Sequence, residues 1–508
     1  MSSNPAFDYI LSSYHSLQQL NRDHVVDLIT HAPQYYSAWW TSLLQEAPEH
    51  LVIETGLIAF IIWLVFIRRT VDPAKSSKAA SLSKKEQDWL IETWQPEPLV
   101  SVGANKRDKM LADSMIVVED VDANYLKVKG IRNPVLNVSS FDFLGLSSEP
   151  NIKAKANAAL DYYGCGSCGP RGFYGTIDQH LMFEDAIAKF MGTEEAISYS
   201  DSASTVSSAI PAFAKKGDLL IVDEAVCEPI LTGLNLSRST VQFFRHNDMD
   251  HLRTILDSIA KDDKKLRRDT TQQRRFIVAE GLYRNTGELC PLKEILKLKE
   301  KYFYRLILDE TLSFGSIGRT GRGVTEHFGV KVTDVEIITL AMDTTLSSVG
   351  GVCIGSREIV DHQRLSGAGY CFSASAPPFL SAVAIEALKT MEEEPKRLQN
   401  LMENARLLRE TLEGVNGVTI RSAEVTPIIH LELTASFENT DDEAAAVMRV
   451  AASCLSQGVA ISANKFAVKN IKCSVRPSLT LTASAKLTQR EIADIAATLT
   501  SALKSCKL

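Results

Sequence analysis

Two aspartates close apolar runs in this chain. Gly217–Asp223 reads GDLLIVD and Arg305–Asp309 reads RLILD. Both patterns predict buried strands, and ligands of α/β sheets bind beyond the carboxyl ends of such strands. Asp223 and Asp309 are therefore candidate ligand-binding carboxylates, although a strand-end aspartate like Asp309 serves equally well as a cap on the following turn. A third pattern is the glycine-rich stretch Gly164–Gly175, GCGSCGPRGFYG. Its glycines permit backbone angles and close approaches denied to other residues, and Arg171 and Tyr174 stand in it as polar anchors; a tight, wholly structural turn is the alternative. Cys165 and Cys168 are spaced as C-x-x-C, but no second pair or nearby histidine completes a zinc set, so no metal site is expected. One absence is as informative as these groups: no lysine occurs between Lys331 and Lys389.

The elements that must position these groups follow from periodicity. Phe276–Glu280, Arg305–Asp309 and Ile337–Ala341 are short apolar runs, and a helical pattern separates the first two. Strand, helix, strand in succession predicts right-handed βαβ units and a mostly parallel sheet. Past residue 385 the texture changes. Lys396–Glu413 is a long helical pattern opened by Pro395 and stopped by Gly414. Strands are predicted at 417–421, 428–433 and 474–482, with helices at 441–458 and at the end, giving an α+β layer. The expected division is a large α/β domain over 136–385 and a smaller one over 386–508.

The front of the chain differs. Leu51–Ile67 reads LVIETGLIAFIIWLVFI, with Glu54 its only charge. At ~1.5 Å per residue it spans roughly 26 Å, slightly short of a ~30 Å hydrocarbon core. Trp39, Trp40, Tyr35 and Tyr36 suit a headgroup region. The first fifty residues hold one basic side chain, Arg22, whereas Arg68, Arg69, Lys75, Lys78, Lys84 and Lys85 follow the segment. The positive-inside rule then places the bulk of the chain on the cytosolic side of a transmembrane helix at 51–69, with 1–50 lumenal or interfacial and 70–135 a linker and N-terminal arm. The net charge of −7 over 508 residues is dispersed, and no basic tract points to nucleic acid. Nine cysteines, odd in number and scattered, fit a reducing compartment.

Residues 137 to 500 resemble the α-oxoamine synthases, fold-type-I pyridoxal-phosphate (PLP) transferases that condense an amino acid with an acyl-CoA. The resemblance is carried by FDFLGL (141–146), GSCGPRGFYG (166–175) with His180, EGLY (280–283), LDE (308–310), GRTGRG (318–323) and Gly350-Gly351. CGPRGFY (168–174) and RLSGAGYCFSAS (364–375) are similar to the first long-chain-base subunits of eukaryotic serine palmitoyltransferases.

That resemblance implies a chemistry this chain cannot run alone. The family holds PLP on a lysine six residues before the Gly-Gly pair; Thr344 stands there, and a threonine forms no imine. Where the family stacks a histidine on the PLP ring, Cys227 ends the run Asp223–Cys227. Leu312 replaces the histidine of a D-E-x-H run that begins at Asp309. Ser202 replaces the glycine that approaches the phosphate, and Thr480 the arginine that pairs with the substrate carboxylate. Ser202, Cys227, Asp309, Leu312 and Thr480 are thus expected to be vestigial. His180 is expected to be packed and hydrogen-bonded.

The resemblance further implies an obligate heterodimer in which PLP belongs to a lysine-bearing partner, and in which the loop with Cys168, Arg171 and Tyr174 completes the partner's site. The complex would condense L-serine with palmitoyl-CoA at the endoplasmic reticulum membrane, together with a small activating subunit and Orm-type regulators. Two other readings are a membrane scaffold with no share in the site, and a self-sufficient enzyme using a displaced lysine such as Lys331 or Lys389.

Overall fold

The computed structural model describes residues 56–64, 83–95, 115–167, 169–423, 426–464, 473 and 475–506. Residues 1–103 and 104–508 form separate compact units. In the first, residues 56–64 are helical with exposed side chains, and a helix at Lys84–Thr93 opens with a capping box between Ser83 and Glu86. The rest of the apolar segment expected at 51–69 lies outside the described residues, as does 1–50. Among the described residues no helix is long and apolar enough to cross a membrane.

Among the described residues the second unit holds fifteen strands in three sheets. β1 (Val118–Asp122), β2 (Tyr125–Val128) and β3 (Val135–Asn137) make a small sheet closed by β13 (Val459–Ala460). Part of the expected arm is therefore a β1–β2 hairpin whose turn places Ala123 at φ 49°. The central sheet contains β4 (Glu195–Tyr199), β5 (Leu219–Asp223), β6 (Thr240–Phe244), β7 (Arg275–Glu280), β8 (Arg305–Asp309), β9 (Ile337–Ala341) and β10 (Gly351–Gly355), in the order β4-β10-β9-β8-β7-β5-β6. Its inner strands are apolar almost throughout because helices cover both faces. The sheet is mixed: β10 runs antiparallel to β4 and β9. The connection 342–350 is shorter than the roughly dozen residues a parallel crossover takes, so β10 must turn back.

The third sheet orders β11 (Val418–Ile420), β12 (Ile428–Leu433), β15 (Ser478–Thr482) and β14 (Ser462–Asn464). Helices Lys396–Glu413, Thr440–Ser456 and Gln489–Ser505 accompany it. The site follows from this topology. β5, β7 and β8 are parallel neighbours, with Glu280 directly opposite Asp309, so their last residues meet at one edge. The helix Ser202–Phe213 begins at that edge after β4.

Candidate functional site

A cavity of about 400 Å³ lies at this edge, and Ser202, Cys227, Glu280, Asp309, Leu312 and Asp343 are among its lining residues. Four of the five positions expected to be vestigial thus surround one space; Thr480 does not line it. Thr344 is buried beside the cavity, and its Oγ1 donates to the Thr311 carbonyl at 3.0 Å. Among the described residues no lysine lines the cavity. Lys389 lies on the helix Pro378–Glu393, where it pairs with Glu393, and Lys331 precedes a short turn at Val332–Asp334.

The electrostatics of the cavity oppose PLP as well. Ser202 Oγ donates to Asp343 Oδ2 at 2.8 Å, and Asp201 caps the same helix by accepting from Ser204 N at 2.7 Å. Two carboxylates therefore occupy the helix N-terminus, the end that otherwise attracts a phosphate. Asp309 accepts from Thr311 N at 2.7 Å, and burial raises its proton affinity. Glu280 takes the amides of Cys227 and Arg284, and burial together with Asp309 pushes it up to about 8. Burial also keeps the Cys227 thiol protonated, and Leu312 supplies only an apolar wall. The residues present do not fit PLP.

Asp223 ends β5 as expected but serves a different purpose. Its Oδ1 accepts from His246 Nδ1 and Ala225 N, and its Oδ2 from Asn247 N, each at 2.9 Å. Thr480 Oγ1 donates to His430 Nδ1 at 3.0 Å, and His430 Nε2 donates to the Arg284 carbonyl at 3.1 Å. Arg476, four residues before Thr480 in the sequence, is engaged with Glu432 and Glu443.

These histidines set a pH dependence. Burial opposes a charge on His246, but hydrogen bonds to Asp223 and Glu288 outweigh it and raise its pKa to about 9. Its contribution is complete below about 6.5 and is lost as pH rises through the folded value, a loss on the order of 3 kcal/mol. Glu280 acts in the same sense, since its folded value of about 8 exceeds its ordinary value of 4.5. Burial pushes His430 down to about 4, so its contribution is lost as pH falls from about 6.5. Urea unfolding should therefore show stability declining from about pH 6.5 toward pH 9. His246→Gln should flatten that decline; a slope unchanged in both His246→Gln and Glu280→Gln would contradict the assignment.

The glycine-rich loop requires one correction. Arg171, expected with Cys168 and Tyr174 to complete a partner's site, instead has a buried guanidinium, with Nη1 and Nη2 on the two Glu184 oxygens at 2.9 and 3.0 Å and Nη1 on Ser198 Oγ at 2.7 Å. A buried charge needs such a partner, and Glu184 supplies it one helix away. Arg171 therefore positions the loop. Tyr174 is fully exposed at φ 64°, and Phe173 beside it is 68% exposed. Cys168 lies outside the described residues; Cys165 is exposed. A Cβ on Gly175 would overlap the Gly169 and Pro170 carbonyl oxygens. His180 is packed as expected: Nδ1 accepts from Ile177 N and Nε2 donates to the Ala376 carbonyl at 2.8 Å. Glu184 and Ser198, which complete the Arg171 cluster, carried no local sequence signal.

Comparison with known proteins shows the family and the fold. The family described as aminotransferase class I and II matches residues 133–499. Long chain base biosynthesis protein 1b of Oryza sativa subsp. japonica is 44% identical over 390 residues, 76% of this chain and 77% of the relative. Serine palmitoyltransferase 1 of Dictyostelium discoideum is 38% identical over 468 residues, covering 89% and 95%. Among solved structures, Sphingomonas wittichii serine palmitoyltransferase superposes with a TM-score of 0.69 at 25% identity, covering 84% of this chain and 99% of that one. A PLP-bound serine palmitoyltransferase from S. paucimobilis shares the fold at a TM-score of 0.70 and 23% identity, covering 79% and 96%. The chain belongs to the class I and II aminotransferase family, fold-type-I PLP transferases, and within it to the group of long chain base biosynthesis protein 1 and serine palmitoyltransferase 1.

Proposed function

We propose that the chain is the non-catalytic, membrane-anchoring subunit of serine palmitoyltransferase, which condenses L-serine with palmitoyl-CoA to 3-ketosphinganine, the first step of sphingolipid synthesis. The observation that carries this reading is Thr344. A side chain unable to form an imine stands at the cofactor-lysine position, and its hydroxyl is tied to Thr311 O beside a cavity that no described lysine lines. Condensation therefore requires a lysine from elsewhere, which an obligate heterodimer with a lysine-bearing partner supplies. PLP is then the partner's cofactor.

What this chain gives in return is surface and shape. Gly169 O accepts from Ser375 N at 2.9 Å, which ties the glycine-rich loop to the segment after the helix Ala368–Cys371. Phe173 and Tyr174 on the loop and Phe372 on that segment are exposed apolar groups. Large aromatics left in solvent on joined loops favour a protein partner over a free surface. In this reading 136–385 and 386–508 are the large and small transferase-like domains. Residues 51–69 anchor the complex in the endoplasmic reticulum membrane with the large domain cytosolic, and a small activating subunit and Orm-type regulators join there.

Co-expression with a lysine-bearing homologue tests this. Condensation should appear only when both chains are present and co-elute. Full activity from this chain alone would favour a displaced lysine. Partner turnover indifferent to this chain would favour a scaffold.

A further inference from the structure

We propose that the helix Lys84–Thr93, with Trp94 behind it, lies flat in the headgroup region of a phospholipid bilayer, as a membrane contact separate from 51–69. The proposal rests on the reading of 51–69 as an anchor and adds a second point of attachment. Trp89, Leu90, Ile91 and Trp94 are 61%, 44%, 73% and 71% exposed, and no residue of the helix is buried. Large apolar side chains gathered in solvent mark a surface that something covers. Their distribution is ordered. At about 3.6 residues per turn, Lys84, Lys85, Asp88 and Glu92 fall within an arc of about 100°, and Trp89, Leu90 and Ile91 lie outside it. Glu86, the remaining charge, is engaged in the capping box with Ser83.

A charged stripe opposite tryptophan, leucine and isoleucine is the pattern of a helix that lies in the membrane interface. With 10 residues the helix is about 15 Å long, half of a ~30 Å hydrocarbon core, so it can rest on a bilayer but not cross it. An isolated helix of this length is marginal in water, so the surface that takes its apolar side also holds it folded. Two features favour lipid over protein as that surface. Tryptophan collects at headgroup level, where one end of its ring is apolar and the other wet, and Trp89 and Trp94 bracket the apolar set. Residues 68–83, which join the helix to the apolar run 51–67, hold Arg68, Arg69, Lys75 and Lys78 against Asp72 alone. Anionic headgroups attract such a run and keep the helix beside the membrane.

Fluorescence of the full-length chain in vesicles of phosphatidylcholine and phosphatidylserine tests this. The five tryptophans are Trp39, Trp40, Trp63, Trp89 and Trp94. Trp39→Phe/Trp40→Phe/Trp63→Phe leaves the pair in question, and Trp39→Phe/Trp40→Phe/Trp89→Phe/Trp94→Phe leaves Trp63 to report the anchor. Lipids brominated near the headgroup end of the acyl chain should quench Trp89 and Trp94 more strongly than lipids brominated near the methyl end. Leu90→Glu/Ile91→Glu should abolish that quenching, whereas Asp88→Asn/Glu92→Gln on the charged face should leave it in place. Deep quenching of Trp63 with no lipid quenching of Trp89 and Trp94 would overturn the proposal and spare the anchor. Shallow quenching of the pair with none at Trp63 would keep the helix on the membrane and remove the anchor. A pair open to aqueous acrylamide in vesicles, and shielded only once the lysine-bearing partner is added, would overturn the proposal in favour of a face covered by protein.

Discussion

Arg171→Met should destabilise the chain by about 3–5 kcal/mol, the cost of stranding one member of a buried ion pair. Arg171 and Glu184 side chains are each 5% exposed, and the guanidinium meets both carboxylate oxygens. Glu184 Oε1 also accepts from Ser198 N and Oγ at 2.8 Å, so removing the arginine leaves an ionised carboxylate in place, held by two neutral donors. The double variant Arg171→Met/Glu184→Gln should recover part of the loss, because an amide carries no stranded charge and can still accept from Ser198. Urea unfolding midpoints at constant m check this. A single-variant cost below about 1 kcal/mol would mean that the pair behaves like a surface salt bridge. Since Arg171 ties the loop 169–175 to β4 through Ser198, the same variant should also lower the turnover of the assembled complex.

Phe173→Ala/Tyr174→Ala should do the reverse. Both rings are exposed, so the chain's own stability should move by no more than about 0.5 kcal/mol. Association with the lysine-bearing partner should weaken by about 2 kcal/mol or more, roughly thirtyfold, as for an aromatic hot spot. Tyr174 sits in the left-handed region, so replacing it alone by glycine relieves local strain while removing the ring. Size analysis of the two chains across a concentration series reads the association. An unchanged midpoint would place the contact surface elsewhere and leave the exposed aromatics unexplained.

What was legible in the sequence was local. Arg305–Asp309 and Ile337–Ala341 were readable to the residue because each is a short, mostly apolar run. Lys396–Glu413 was readable because Pro395 and Gly414 punctuate it. The direction of β10 was not, since a strand pattern carries no sense; only the short 342–350 connection decides it. In the site, the positions of Thr344, Cys227, Leu312 and Ser202 came from the resemblance to a known family, counted from that family's glycines and acids. Their partners did not. Ser202 meets Asp343 across 141 positions, and Asp223 is claimed by His246, which lies one strand further along. Arg171 read as a polar anchor of the glycine-rich loop, but its partner Glu184 lies inside the helix Asp178–Met191, where no local pattern marks it as a counter-ion.

The measurement that bears most directly on a chain without its own cofactor lysine is borohydride reduction of the assembled two-chain complex in the presence of PLP, followed by intact-mass analysis of each chain. The phosphopyridoxyl group should appear on the lysine-bearing partner alone, and this chain should keep its unmodified mass. A stoichiometric adduct on this chain, whether at Lys331, at Lys389 or at any other lysine, would contradict that claim.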